Sequence, residues 1–264
     1  MKRLAVIYIC TGGYKVFWKD FYSSSEQFFL NEYEKTYFVF TDSNEIILNR
    51  NDKVKTYYTK QMGWPYDTLE RWSDICRVQD LLLEYDYVAF CNANTQFIKQ
   101  FNIADMDNKS IILWTQTKEG TSQVNMPFES DERSRAAVPN DIQTKYYYNG
   151  GFFIGKSQEL IKMAVTLRDW TEEDLRNGII ACHHDESMLN SYVYHYKDTV
   201  FSRIGSKEFI PEEFMDSSNT PCAIFRNKDK YGGNIGIRYN NKMLGNADIM
   251  RRRILNKIKK ICGQ

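Results

Sequence analysis

Three short apolar runs, each stopped by a small polar triplet, limit what this chain can fold into more than any other feature. Residues 4–10 (LAVIYIC) run into Thr11-Gly12-Gly13, residues 37–40 (YFVF) into Thr41-Asp42-Ser43, and residues 87–91 (YVAFC) into Asn92-Ala93-Asn94. Apolar runs without alternation suit strands buried on both faces, as in parallel sheets. Helical spacing fills the gaps between them. Phe17, Phe21, Phe28, Phe29 and Leu30 fit a helix over 14–30. Residues 68–83 place Leu69, Trp72, Ile75, Cys76, Val78, Leu81, Leu82 and Leu83 on a strongly amphipathic helix. Strand, helix, strand, helix, strand predicts an α/β fold with a largely parallel sheet. Such sheets bind ligands at the carboxyl ends of their strands, so the three polar triplets are the first places to look for chemistry.

The second half reads as a strand over 111–114, a polar stretch over 118–140, and an aromatic strand over 146–155 (YYYNGGFFIG) interrupted by Gly150-Gly151. A helix over 157–175 with Ser157 as its N-cap follows, then a helix over 184–196 and a turn-rich segment over 200–241. There is no internal repeat or low-complexity linker, which predicts one domain over 1–241 and a separate tail over 242–264.

The net charge of the 264-residue chain is +1, far below what a general nucleic-acid binder carries, so no nucleic-acid partner is expected. The tail holds seven Lys and Arg against one Asp, a net +6, which leaves −5 on the body. Within it, residues 249–261 (IMRRRILNKIKKI) form a basic amphipathic stripe of the kind that lies on anionic membrane surfaces, with packing on the body or a partner as the alternative. The six Cys are scattered without a CxxC, which favours a reducing compartment. No 18-residue apolar span is present. A cytoplasmic protein touching the inner face of the plasma membrane through its tail is the expectation.

Four constellations stand out. Asn92 and Asn94 follow a buried strand, where neutral amides can bond sugar hydroxyls or phosphates but lack the charge that holds a hard cation; a plain turn is the alternative. His183-His184-Asp185-Glu186 is the densest ionisable cluster, read as an active-site carboxylate beside a sugar site or as a helix start favoured by the dipole. Gly150-Gly151 within a strand marks a bulge or the close approach of a ligand. Arg226, Lys228 and Lys230 precede Tyr231-Gly232-Gly233, either as a diphosphate clamp or as a solvated basic loop.

Taken together, the segments ICTGGYKVFWKDFY (9–22), YFVFTDS (37–43), GWPYDTLERW (63–72), CNAN (91–94), YYYNGGFFIG (146–155), HHDESMLN (183–190) and RNKDKYGG (226–233) resemble glycosyltransferase family 6, the family of the histo-blood-group A and B transferases and α-1,3-galactosyltransferases. The resemblance implies a GT-A-type, Rossmann-like fold. It also implies retaining transfer of N-acetylgalactosamine or galactose from a UDP-sugar to the 3-hydroxyl of a β-galactoside in an oligosaccharide or lipid-linked glycan. By the same resemblance Ile9, Cys10, Thr11 and Tyr14 contact uridine. Arg71, Asn92, Asn94, Asn149, Gly150, Gly151, His184 and Asp185 surround the donor sugar, and Glu186 is the nucleophile or oxocarbenium stabiliser. Asn92 and Asn94 stand where the family carries a metal-binding Asp-x-Asp. The pattern is similar to bacterial members that work without a metal, so no cofactor is expected, and Arg226, Lys228 and Lys230 are assigned to the diphosphate. The paired glycines resemble the version that accepts UDP-GalNAc, with UDP-Gal as the alternative donor and a catalytically inactive carbohydrate-binding protein as the alternative function. His183 stands where many relatives have Trp.

Overall fold

A computed structural model describes residues 1–48, 51–117, 126–139, 146–196, 201–205, 207–216 and 220–239. The chain opens with β1 (Arg3–Ile9), a 3-10 turn over Gly12–Phe17 and α1 (Trp18–Phe28), then β2 (Glu34–Thr41), α2 (Asn44–Leu48) and β3 (Val54–Tyr58). Three short helices, α3 (Tyr66–Leu69), α4 (Arg71–Cys76) and α5 (Gln79–Leu82), lead into β4 (Tyr87–Cys91) and β5 (Thr95–Phe97). There follow β6 (Ile111–Thr115), β7 (Tyr148–Lys156), α6 (Ser157–Arg176), α7 (Asp185–His195), β8 (Phe201–Ile204), β9 (Phe209–Pro211), β10 (Ala223–Phe225) and α8 (Gly233–Tyr239).

The central sheet has seven strands in the order β3-β2-β1-β4-β7-β6-β8. Every neighbouring pair is parallel except the two made by β7, which runs against β4 and β6. This is the mostly parallel, Rossmann-like sheet of a GT-A-type fold. A second sheet, β5-β10-β9, lies beside the carboxyl end of β4. Both faces of the large sheet are covered, and the two-residue period of a strand sorts its side chains between them. Leu4, Val6 and Tyr8 of β1 join a core with Phe21, Phe97 and Phe152, while Ala5 and Ile7 join a core with Trp72, Leu160 and Leu189. The aromatic richness of the chain is spent largely here, in stacked pairs such as Tyr8–Phe21 and Phe90–Phe153.

Several local expectations are corrected. The helix expected over 14–30 is a 3-10 turn followed by α1. The single helix expected over 68–83 is broken at Glu70 and at Arg77–Val78 into α3, α4 and α5. Trp72, Ile75 and Leu82 still face the core, but the break at Glu70 starts a new helix with Arg71, whose guanidinium is thereby turned toward β7. Ser157 is the first residue of α6 rather than its cap. Lys156 takes the cap position, and the Ser157 hydroxyl is buried without a hydrogen-bond partner. Residues 242–264, including the basic stripe, lie outside the described residues. Among the described residues, no helix is long and apolar enough to cross a membrane.

Candidate active site

The carboxyl ends of β1 and β4 form the floor of the site. Ile9, Thr11, Tyr14, Trp64, Asp67, Thr68, Arg71, Phe90 and Asn92 line a recess there. Gly12 allows the chain to turn there. Its φ of +57° is the left-handed conformation that glycine adopts at no steric cost, and its N–H donates to Asp42 Oδ1 at 2.9 Å. Next to it lies a cleft of about 400 Å³ that shares Tyr14, Trp64, Thr68, Arg71 and Asn92 with the recess. Its other walls include Asn94, Trp114, Asn149, Gly150, Gly151, His184, Asp185, Glu186 and Lys228.

One end of the cleft is built where β7 bulges against the start of α7. Between β6 and β7 the register shifts, so that Leu113 pairs with Phe153 but Thr115 pairs with Tyr148. The extra residues of the bulge include Asn149, Gly150 and Gly151. Arg71 Nη1 donates to the Gly150 carbonyl at 2.6 Å and to Asp185 Oδ2 at 2.5 Å, forming a buried ion pair. A Cβ on Gly150 would lie 2.5 Å from Asp185 Oδ2 and 2.8 Å from Arg71 Nη1. One on Gly151 would lie 3.0 Å from the Phe225 ring. The two glycines therefore make room first for the protein's own ion pair and for an aromatic wall.

Glu186 sits in the first turn of α7. Its Oε1 accepts from the Gly150 N–H at 3.1 Å, and Tyr147 donates its hydroxyl to Oε2 at 3.4 Å. Asn190 fixes this geometry by clamping α7 to β7. Its amide donates to the carbonyls of Tyr148 and Glu186, and its Oδ1 accepts from the Tyr148 N–H. His184, just before the helix, takes φ +52° and packs its ring edge-on to Trp64 at 4.8 Å. A non-glycine residue in that region of φ/ψ space costs on the order of 1–3 kcal/mol and is held only by its surroundings.

Electrostatics separates the two acids. Burial pushes the Glu186 carboxyl up to about 7, with the Asp185 charge adding to the rise and the Gly150 N–H, Arg71 and Tyr147 opposing it. Burial also raises Asp185, against the pull of Arg71. Glu186 is thus a carboxyl whose charge is poised near neutrality, and such tuning is typical of groups that take part in chemistry.

Not every residue expected at the site reaches it. Cys10 is fully buried, and burial pushes its thiol up to about 12; its side chain belongs to the core and does not line the recess. Of the three cations assigned to the diphosphate, only Lys228 lines the cleft, with its ammonium 5.4 Å from the Tyr14 ring centroid. Arg226 pairs with Asp20 at 3.0 Å, and Lys230 pairs with Glu212 at 2.7 Å. Arg226 still matters through its main chain, which exchanges hydrogen bonds with Asn94. Sequence reasoning missed Tyr147, Asn190, Trp64 and Phe225. Trp64, Tyr147 and Asn190 lay inside the quoted segments, but nothing in their spacing marked them as site residues.

The donor set at the β4 end does not suit a hard divalent cation. Asn92 and Asn94 supply neutral amides, and Asn94 is already engaged by Asn92 through Oδ1 and by the Arg226 carbonyl through Nδ2. Among the described residues no group of three or more His, Cys, Asp and Glu is placed to hold a metal ion.

A family model described as Glycosyltransferase family 6 matches residues 3–225. The O-antigen biosynthesis glycosyltransferase WbnI of Escherichia coli is 31% identical over 233 residues, covering 87% of this chain and 97% of its own. Histo-blood group ABO system transferases 1 and 2 of Rattus norvegicus are 26% and 28% identical over 75% and 70% of this chain; in each case the match spans only 57% of the rat protein.

Proposed function

The chain belongs to glycosyltransferase family 6, and from that footing we propose that it transfers N-acetylgalactosamine from UDP-GalNAc to the 3-hydroxyl of a β-galactoside acceptor, with retention and without a metal ion. The Glu186 carboxylate carries this reading: it faces the cleft, its Gly150 and Tyr147 contacts fix its position beside the Arg71–Asp185 pair, and Asn190 holds its main-chain carbonyl. Uridine enters over Ile9, Thr11 and Tyr14, and the sugar lies between Asn92, the Gly150–Gly151 main chain and Asp185. The choice of UDP-GalNAc over UDP-Gal rests on the resemblance of the Gly150–Gly151 pair, since the space over the two glycines is taken by the Arg71–Asp185 pair and the Phe225 ring.

Retention requires either two inversions or a same-face departure and attack. In the first route the Glu186 carboxylate bonds to the anomeric carbon as the C–O bond to UDP breaks. The acceptor oxygen then displaces Glu186 from the anomeric carbon, and its proton passes to the departed diphosphate. In the second, the carboxylate stabilises positive charge on the ring while UDP leaves and the acceptor enters on one face. Both routes need Glu186 ionised. The charge that develops on the departing diphosphate falls to Lys228, with Arg71 acting through the oriented pair. Arg226 and Lys230 would join only by leaving Asp20 and Glu212. The relationship to an O-antigen biosynthesis enzyme favours a lipid-linked glycan as acceptor.

The test is UDP release from UDP-GalNAc and from UDP-Gal, with and without excess chelator, over β-galactosides with and without fucose. Faster turnover of UDP-GalNAc that survives chelation is expected. A preference for UDP-Gal overturns the donor assignment, and full loss in chelator overturns the metal-free route.

A further inference from the structure

A second cavity, of about 840 Å³, opens at the far end of α7 from the reacting carboxylate. It exceeds the catalytic cleft in volume and lies within the ~300–1,000 Å³ typical of ligand pockets. Asp185 and Glu186 open α7, while Tyr194, His195 and Tyr196 at its C-terminal end line this cavity. The helix is eleven residues long, about 16 Å at ~1.5 Å per residue. The opposite wall is Trp170 of α6 together with Arg135 from the segment 130–139.

The lining has a specific chemistry. Trp170 and Tyr196 lie face to face at 6.5 Å and 27°, and His195 meets Trp170 edge-on at 5.6 Å. The Arg135 guanidinium sits 5.4 Å over the Trp170 ring and reaches Glu173 at 3.5 Å, with both charged side chains about half exposed. An ion pair so exposed contributes little to stability, so its donors and acceptors remain available to a ligand. Glu132 and Arg133, the latter paired with Asp131 at 2.6 Å, complete the charged rim, so cations do not outnumber carboxylates. A phosphate-bearing ligand or an acidic peptide would need an excess of cations. A rim without excess positive charge, combining planar rings with the Arg135–Glu173 donors and acceptors, matches a neutral, polyhydroxylated chain, whose C–H faces pack on rings while its hydroxyls bond Arg and Glu together.

The segment 130–139 is held firmly enough to keep this shape. Ser134 Oγ and the Arg135 N–H both donate to the Asp174 carboxylate, and Ser191 of α7 donates to the Arg135 carbonyl. The cavity wall is thus tied to both helices.

We propose that this cavity is a second, non-catalytic saccharide site that holds a distal part of a long neutral acceptor glycan while its terminal β-galactoside occupies the cleft. The proposal rests on the reading of the chain as a transferase to glycans. It predicts chain-length selectivity, because a disaccharide reaches only the cleft and a polymer bridges both.

The test compares lactose with a neutral polysaccharide ending in β-galactose, using the full chain and its Trp170→Ala and Arg135→Ala variants. Each variant is expected to raise KM for the polymer about fivefold to tenfold, the size of one lost aromatic or charged contact, and to leave kcat and the lactose KM unchanged. Equal rises for both acceptors, or no rise for the polymer, overturn the proposal. If Trp170→Ala fails to fold, Arg135→Ala, at an exposed position, decides alone. If no galactoside is glycosylated at all, the activity assignment fails separately. Calorimetric titration of the polymer into donor-free protein then decides this site: binding lost in the variants supports it, and absent or unaltered binding overturns it.

Discussion

Replacing Glu186 by Gln should destroy turnover and stabilise the protein, and the size of the gain should depend on pH in a calculable way. Glu186 is raised in the folded state from 4.5 to about 7, with burial as the main cause and the Asp185 charge second. Between those values the folded chain binds more protons than the unfolded chain, so wild-type stability falls as pH rises through the window. The full shift of about 2.5 pH units corresponds to ~3.4 kcal/mol at ~1.36 kcal/mol per unit, of which about a quarter is already lost at about pH 5. Gln keeps the acceptor for the Gly150 N–H and a polar partner for Tyr147 but has no proton to lose. The stability difference between Glu186→Gln and wild type should therefore grow by about 2.5 kcal/mol from about pH 5 to about pH 8. Near the transition that is a gap in Tm widening by roughly 5–10 °C. Relief of Asp185 from its neighbour's charge acts in the same direction. Urea unfolding of both proteins at the two pH values measures this double difference, in which groups common to both cancel. A gap that stays constant with pH, or closes as pH rises, would refute the assignment of a carboxylate raised by burial and its neighbour's charge.

Further outcomes follow from the same geometry. kcat/KM for the donor should drop about tenfold per pH unit below an acid limb near pH 7, since both routes need the Glu186 carboxylate ionised; a limb near 4.5 in a pH–rate profile would contradict this. Gly150→Ala places a Cβ 2.5 Å from Asp185 Oδ2 and should lower activity sharply while costing about 1–3 kcal/mol in chemical denaturation. Arg71→Met strips a buried carboxylate of its partner and should cost about 3–5 kcal/mol, and an unchanged denaturation midpoint would show that Asp185 is not held as described. Lys228→Ala should weaken UDP binding about tenfold, whereas Arg226→Ala and Lys230→Ala, whose side chains already face Asp20 and Glu212, should change it less.

Much of the fold was legible because β1, β2, β4 and β7 are buried on both faces and must be written as apolar runs. Their polar ends in turn marked the floor of the site. The strands that escaped are of another kind. β3 (VKTYY) carries Lys55 on a half-buried sheet edge, and β5, β9 and β10 have three residues each, too few for any period to register. The apolar spacing over 68–83 could not reveal the break before Arg71, because the same residues face the core whether the helix is whole or interrupted. At the site, residue types pointed to Asp185 and Glu186 as acids, but only geometry separates a carboxyl paired with Arg71 from one left to burial and a main-chain N–H. Charge counting failed in the 226–230 loop. Three cations in five residues read as a clamp, whereas Glu212 and Asp20, distant in sequence, hold two of them.

The central claim is that Glu186 is the carboxylate that meets the anomeric carbon. Its most direct test measures, on one preparation of Glu186→Gln, the rate of UDP release with acceptor present and the affinity for UDP alone. Turnover lower by roughly three orders of magnitude with UDP affinity nearly unchanged is the expected result. Parallel losses in both, or turnover close to that of the wild type, would contradict it.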